Sequence, residues 1–243
     1  LSGAIFAVYD KQNNVVDKFQ TNENGIGSSK KLPLGIYTVK EVQAPANYGL
    51  NPTVFTADIE FAGQVVKLNV TDPVITAGVS IKKTGYAQTM NNNVMRWTVS
   101  GVRNDSTTSL QSFYWRDTLP TDAVRLTRLV TGTYSTTQTY KVTFTTNLNS
   151  QWRTAYDNLS TAKNYTLDMS SAALGLASNE YVTQFMLSFG IVPAGFHQLT
   201  NATVDAQTLY ALTNGYKFTN KADVGGLLGG NWVQSIARWT TSV

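Results

Sequence analysis

The chain contains no cysteine and a single histidine, His197, and only 14% of its 243 residues are charged. Each scarcity excludes something. Without cysteine no disulfide can staple the fold, so any covalent reinforcement has to use other chemistry. One histidine rules out a His-based metal cluster, and neither HExxH nor a G-x-S-x-G elbow is present to support hydrolysis. Set in Gly195-Phe196-His197-Gln198, His197 reads as a surface-loop residue. No metal site, cofactor or turnover chemistry is expected.

Basic residues are also dispersed. The longest runs are the pairs Lys30-Lys31 and Lys82-Lys83, and the net charge of +4 is split as six Lys/Arg against seven Asp/Glu in residues 1–75 and thirteen against eight thereafter. A nucleic-acid surface needs a concentrated basic stripe, and none exists. There is no signal peptide, membrane span or lipidation motif. The chain opens on Leu1-Ser2-Gly3-Ala4, which reads as the interior of a longer protein, with export and anchoring signals elsewhere. The Gly225-Gly226-Leu227-Leu228-Gly229-Gly230 run lacks the lysine of a phosphate loop and is expected to be a flexible loop. Acid pairs such as Asp157 and Asp168 have no spacing that favours a glycosidase over exposed charges.

What is abundant is β-forming residues. There are 33 threonines, and aromatic residues make up 11% of the chain; both favour a pleated, half-buried surface. Short alternating runs are expected as strands at Ala4–Tyr9, Val15–Phe19, Leu34–Val42, Val54–Phe61 and Val65–Thr71, the last two as a hairpin around Ala62-Gly63. Pro73 to Gly78 reads as a linker, giving domains 1–75 and 76–243. The second series is expected at 79–84, 95–102, 112–117, 124–131, 139–146, 164–169, 181–189, 215–220 and 231–241. Asp205 to Leu212 is expected as a short helix, and Tyr156 to Ser160 as a loop or helical turn. The fold class is all-β.

Leu1-Ser2-Gly3-Ala4-x-Phe6, Thr21-x-x-x-Gly25 and Leu32-Pro33-Leu34-Gly35-x-Tyr37-x-Val39-x-Glu41-x-x-Ala44-Pro45-x-x-Tyr48 resemble the prealbumin-like (Cna B-type, SpaA-type) repeat of Gram-positive adhesins and pilins. Lys83-Thr84-Gly85, Phe113-x-x-x-Asp117-x-Leu119-Pro120, Thr131-Gly132-x-Tyr134, Phe189-Gly190 and Phe218-x-Asn220 resemble, more loosely, the larger domain that accompanies it. The resemblance implies a small prealbumin-like β-sandwich followed by a larger Ig-like one, in an extracellular, wall-attached protein. Neighbouring domains of that protein, and a host surface or matrix ligand, are the implied partners.

It also implies an intramolecular isopeptide bond, in which a buried Lys attacks an Asn or Asp beside a promoting acid. Burial disfavours every charged form, leaving a neutral amine and a protonated acid. Strand parity tests this, because residues two apart share a face. The face of Val79 and Ile81 continues to Lys83, that of Phe113 and Trp115 to Asp117, and that of Tyr216 and Phe218 to Asn220. A strand end emerging into solvent would show the same pattern, so parity alone leaves both readings open. In the first domain the resemblance makes Glu41 the promoting acid and Asp72 the acceptor, with its Lys on a strand before Leu1. Two function classes follow, a stalk module and a ligand-binding adhesin domain. An exposed aromatic patch drawn from Trp97, Trp115, Trp152, Trp232 or Trp239 would favour the second.

Overall fold

A computed structural model describes residues 1–86 and 94–243. These fall into two compact units, Leu1–Thr76 and Ala77–Val243, and among the described residues there is no helix. The fold is all-β throughout.

In the first unit β1 (Ile5–Tyr9), β2 (Val15–Gln20), β3 (Gly35–Gln43) and β4 (Val54–Ile59) make one antiparallel sheet in the order β2-β1-β3-β4. The β1–β2 turn is closed by Asp10, whose carboxylate accepts from the backbone N–H of Gln12 and Asn14. Alternation then selects the buried face. Phe6, Val8, Tyr37 and Val39 are buried with Ala4, and Phe19, Leu68 and Val70 pack against them. Val65–Thr71 is not the strand that its alternation suggests. After the turn at Phe61–Gln64 the segment keeps its period, turning Leu68 and Val70 inward, but finds no ladder partner. A two-residue period fixes which side chains face the core; a strand also requires a neighbour to receive its N–H and C=O groups.

The second unit packs two sheets face to face. Its strands are β5 (Val79–Gly85), β6 (Val94–Asn104), β7 (Leu110–Thr118), β8 (Val124–Val130), β9 (Thr133–Tyr134), β10 (Thr139–Thr146), β11 (Arg153–Ser160), β12 (Thr166–Asp168), β13 (Val182–Val192), β14 (Gln198–Thr200), β15 (Ala202–Thr208), β16 (Lys217–Leu228) and β17 (Asn231–Ser242). One sheet runs β11-β10-β13-β7-β16-β17 and the other β12-β8-β15-β6-β5, with β14-β9 as a two-stranded appendage. Met95, Trp97, Trp115, Phe185, Val204 and Val224 are all fully buried and belong to the core between them.

Three sequence expectations fail here. Asp205 to Thr208 lies in β15, because Ala202, Val204, Ala206 and Thr208 alternate inward across a central strand. Tyr156 to Ser160 is the end of β11, an edge strand broken by Asn158 at φ 53°, and that break hides its period. Gly225 to Leu228 is not a flexible loop but the continuation of β16, paired with β17 along its whole length. The glycines are there because Tyr114 and Leu110 lie flat against them; a Cβ on Gly225 would stand 2.9 Å from the Tyr114 ring.

Candidate functional site

Lys83, Asp117 and Asn220 reach one point in the interior of the second unit from three strands. Lys83 stands on β5, an edge of the five-stranded sheet, and points across the sandwich. Asp117 and Asn220 stand on adjacent strands of the opposite sheet. Asp117 is directly paired with Ala222, so Asn220 is its diagonal neighbour on the same face. The parity of Val79-Ile81-Lys83, Phe113-Trp115-Asp117 and Phe218-Asn220 is therefore realised as burial and not as a strand end in solvent.

The side chains of Lys83 and Asp117 are both 0% exposed, and Lys83 Nζ contacts Asp117 Oδ2 directly. The Trp97 ring lies 5.8 Å from Nζ, and Phe218 meets that ring edge-on at 6.4 Å. These rings exclude water from the amine. Burial pushes the Asp117 carboxyl above its ordinary range, against the opposing pull of Lys83 and of the nearby Asn220 amide.

Asn220 is the informative member. Among the described residues, two asparagines of this unit, Asn104 and Asn220, are completely buried. Asn104 is satisfied: its Nδ2 donates to the carbonyls of Thr108 at 3.1 Å and Pro193 at 2.9 Å, and its Oδ1 accepts from Ser106 N–H at 3.0 Å. Among the described residues Asn220 has no partner at hydrogen-bonding geometry for Nδ2 or Oδ1, and Asp117 Oδ1 is likewise unpartnered, although the amide lies close enough to Asp117 to draw on its carboxyl. An orphaned buried amide carries a desolvation penalty of about 1–3 kcal/mol. A structural asparagine would be built like Asn104.

The first unit holds a related but incomplete arrangement. Glu41, on β3, is 4% exposed. Its Oε2 accepts from the backbone N–H of Asn51 at 2.7 Å, and Asn51 Nδ2 donates to the Thr71 carbonyl at 2.8 Å, which ties the Asp72 segment alongside. Burial pushes the Glu41 carboxyl up; the Asn51 N–H opposes this and Asp72 adds to it. Glu41 Oε1 and Asp72 Oδ1 have no hydrogen-bond partner among the described residues. Two facing carboxyls are therefore present without a lysine between them.

The other candidates lie elsewhere. His197 is half-buried, its Nδ1 2.8 Å from the Gly195 carbonyl oxygen. Asp157 and Asp168 are exposed. Among the described residues no group of His, Cys, Asp and Glu is arranged to hold a metal, and no helix is long and apolar enough to cross a membrane. Trp97 and Trp115 are core, whereas Trp232 is 53% exposed. Sequence reading did not single out Trp97 for the lysine site. Its signal was available, because Met95, Trp97 and Val99 share the inward face opposite Lys83.

Residues 1–74 match the SpaA prealbumin-like fold domain family. The first unit is a prealbumin-like domain of the SpaA type. Half of the chain is also 31% identical, over 121 residues, to the trypsin-resistant surface T6 protein of Streptococcus pyogenes serotype M6, and it spans a fifth of that protein's length. Among solved structures, the major pilin SpaD of Corynebacterium diphtheriae is similar over the whole chain and 61% of its own length, at 16% identity and a TM-score of 0.36. The collagen-binding domain of a Staphylococcus aureus adhesin is similar over 69% of this chain and all of its own, at 12% identity and a TM-score of 0.34. The chain thus combines a SpaA-type match at residues 1–74 with a likeness, over half of its length, to one streptococcal surface protein. Likenesses as distant as these two structures carry no residue or role across.

Proposed function

We propose that the chain is a structural stalk or backbone module of a wall-attached bacterial adhesin or pilin-like protein, with 1–75 and 76–243 as independent domains. In the larger domain Lys83 and Asn220 are joined by an isopeptide bond that Asp117 promotes. The observation that carries the reading is the orphaned, fully buried Asn220 amide beside a buried Lys–Asp contact.

The chemistry balances without a cofactor. Transfer of a proton from Lys83 to Asp117 leaves a neutral amine and a neutral acid, which suits a site without water. The Nζ lone pair attacks Asn220 Cγ while the Asp117 carboxyl hydrogen-bonds the amide oxygen as negative charge develops there. Asp117 then relays the proton lost by Nζ to the departing Nδ2. The Nζ–Cγ bond forms, the Cγ–Nδ2 bond breaks, and one ammonia leaves. The reaction occurs once per chain, so the domain is its own substrate and not an enzyme that turns over.

The link would join the two sheets of the sandwich through an edge strand, β5, and β16. A pull passing from β5 to β16 would then load a covalent bond before the ladder hydrogen bonds between them, while β17, which follows β16, lies outside the closed loop. A chain without cysteine gains in this way a crosslink that reductants cannot open. In the first domain we assign Glu41 as promoting acid and Asp72 as acceptor, for a lysine supplied from outside residues 1–243.

Intact mass spectrometry tests the reading. The purified chain is expected to weigh one ammonia less than its sequence, and fragmentation should place the loss in a branched Lys83–Asn220 peptide. Asp117→Ala and Lys83→Ala should each restore the full mass. A wild-type chain at full sequence mass would refute the cross-link.

A further inference from the structure

The outward face of the six-stranded sheet is not flat. Several strands of this sheet break register: β11 at Asn158 (φ 53°) against β10, β13 around Gly190 (φ 71°) against β7, β7 at Ser112 (φ 49°), and β16 between Gly225 and Leu227 against β7. Bulges re-aim side chains and bend the strands that carry them. Ser112 and Asn158 hold left-handed backbone without being glycine, and strain of this kind gathers at ligand sites. Together the bulges hollow the sheet into an open trough of about 710 Å³.

Its lining is specific. On one wall Trp232 stands edge-on to Tyr114, centroids 5.9 Å apart at 74°, so the indole is braced while remaining 53% exposed. Tyr114 cannot move. Its ring fills the space left by the missing Cβ of Gly225, and its hydroxyl donates to Asp223 at 3.0 Å and accepts from Gln234 Nε2 at 2.9 Å. Arg116 pairs bidentately with the same Asp223, at 2.9 Å for each bond, so that charge is cancelled within the wall. The other side offers Lys141 and Asp157, of opposite sign, with the hydroxyls of Ser112, Thr139 and Ser188 between.

We propose that this trough binds a neutral oligosaccharide. With Arg116 neutralised by Asp223 behind the lining, and Lys141 and Asp157 of opposite sign, the trough presents little net charge, which disfavours anionic and cationic ligands alike. The floor of the trough is formed by β10, β13 and β7, each paired on both sides, and only its margins, β11 and β17, are sheet edges, so a ligand lying along the floor is not taken up as an added strand. What remains is an aromatic plane beside neutral and paired-charge groups that both donate and accept. A sugar ring, apolar on its C–H face and hydroxylated at its rim, has the matching chemistry. The site goes beyond the stalk reading and does not require the Lys83–Asn220 link.

The test is a binding panel of neutral, sialylated and sulfated oligosaccharides, with a Gly-Pro-rich triple-helical peptide alongside, probed with the intact chain. Neutral oligosaccharides are expected to bind. Trp232→Ala, at an exposed position that the core does not need, should weaken that binding by about tenfold or more. Ile236→Ala, on the same strand but outside the trough, should leave it unchanged. Binding to charged glycans alone, to the peptide alone, or to nothing would overturn the proposal. So would neutral-glycan binding that Trp232→Ala does not affect.

Discussion

The two units bury acids in opposite circumstances. In the second, Asp117 meets a lysine amine on one side and an asparagine amide on the other, inside a sandwich whose core is sealed by Trp97 and Phe218. In the first, Glu41 faces another carboxyl, Asp72, beside a segment that carries the right parity but has no ladder partner. The difference shows what a buried acid requires before it can act: a nucleophile and an electrophile delivered from separate elements. β5 and β16 bring Lys83 and Asn220 from opposite sheets. Residues 64–72 bring only Asp72.

The sharpest way to break the comparison is to remove one acceptor from each unit. Asn220→Ala removes the proposed link, which in the chain-entropy account stabilises a loop of more than a hundred residues by about 5 kcal/mol. Asp72→Ala removes a half-buried carboxyl whose remaining interactions are worth about 1–2 kcal/mol at most. Chemical unfolding of the second unit should therefore move far more for Asn220→Ala than that of the first unit does for Asp72→Ala. Equal shifts would mean that Asn220 is not covalently engaged.

The cores offer a second, smaller contrast. The first unit's core is five buried side chains, among which Phe6 stacks on Phe19 at 5.6 Å. Phe6→Ala should cost about 3–5 kcal/mol, enough to unfold so small a unit. The second unit's transition should stay where it was, as two independent domains require. A single transition that moves as a whole would show instead that the units unfold together.

Much of this was legible in the sequence, and for a physical reason. The period of two is enforced wherever one face is buried, so Val79-Ile81-Lys83 and Phe113-Trp115-Asp117 reveal which side chains turn inward without any knowledge of the partner strands. The Leu32 to Tyr48 run was specific enough to name the SpaA-type domain that residues 1–74 match. What failed was whatever depends on a neighbour. Val65–Thr71 has the alternation but no partner, Asp205 to Thr208 is a central strand read as a helix, and Gly225 to Leu228 looked like a loop because its glycines serve Tyr114 and Leu110 on the adjacent strand. The trough was illegible for the same reason: Ser112, Asn158 and Gly190 are far apart in sequence and come together only once the sheet is assembled.

The smallest effect separates the acids by sign. Glu41 has a carboxyl raised above its ordinary value of 4.5, chiefly by burial. The native first unit therefore takes up this proton at a higher pH than the unfolded chain does. Its contribution is complete below the unfolded value and is lost as pH rises through the raised native value, so the unit should gain stability on mild acidification. Asp205 behaves oppositely. Burial opposes its ionisation, but Arg96 and Arg128 hold it below its ordinary value of 3.8, through contacts such as 2.7 Å from Arg96 Nε. Its contribution is present above the unfolded value and disappears only as pH falls through the depressed one. Glu41→Gln should flatten the first unit's gain between neutral pH and the ordinary glutamate range, while Asp205→Asn should destabilise the second unit at neutral pH, abolish its loss of stability at the acid end, and leave the first unit unchanged. Thermal melts of each variant across that range provide the measurement. A first unit that loses stability as pH falls from neutral, in wild type but not in Glu41→Gln, would show that Glu41 is already paired with a cation and that its orphaned oxygen has found one.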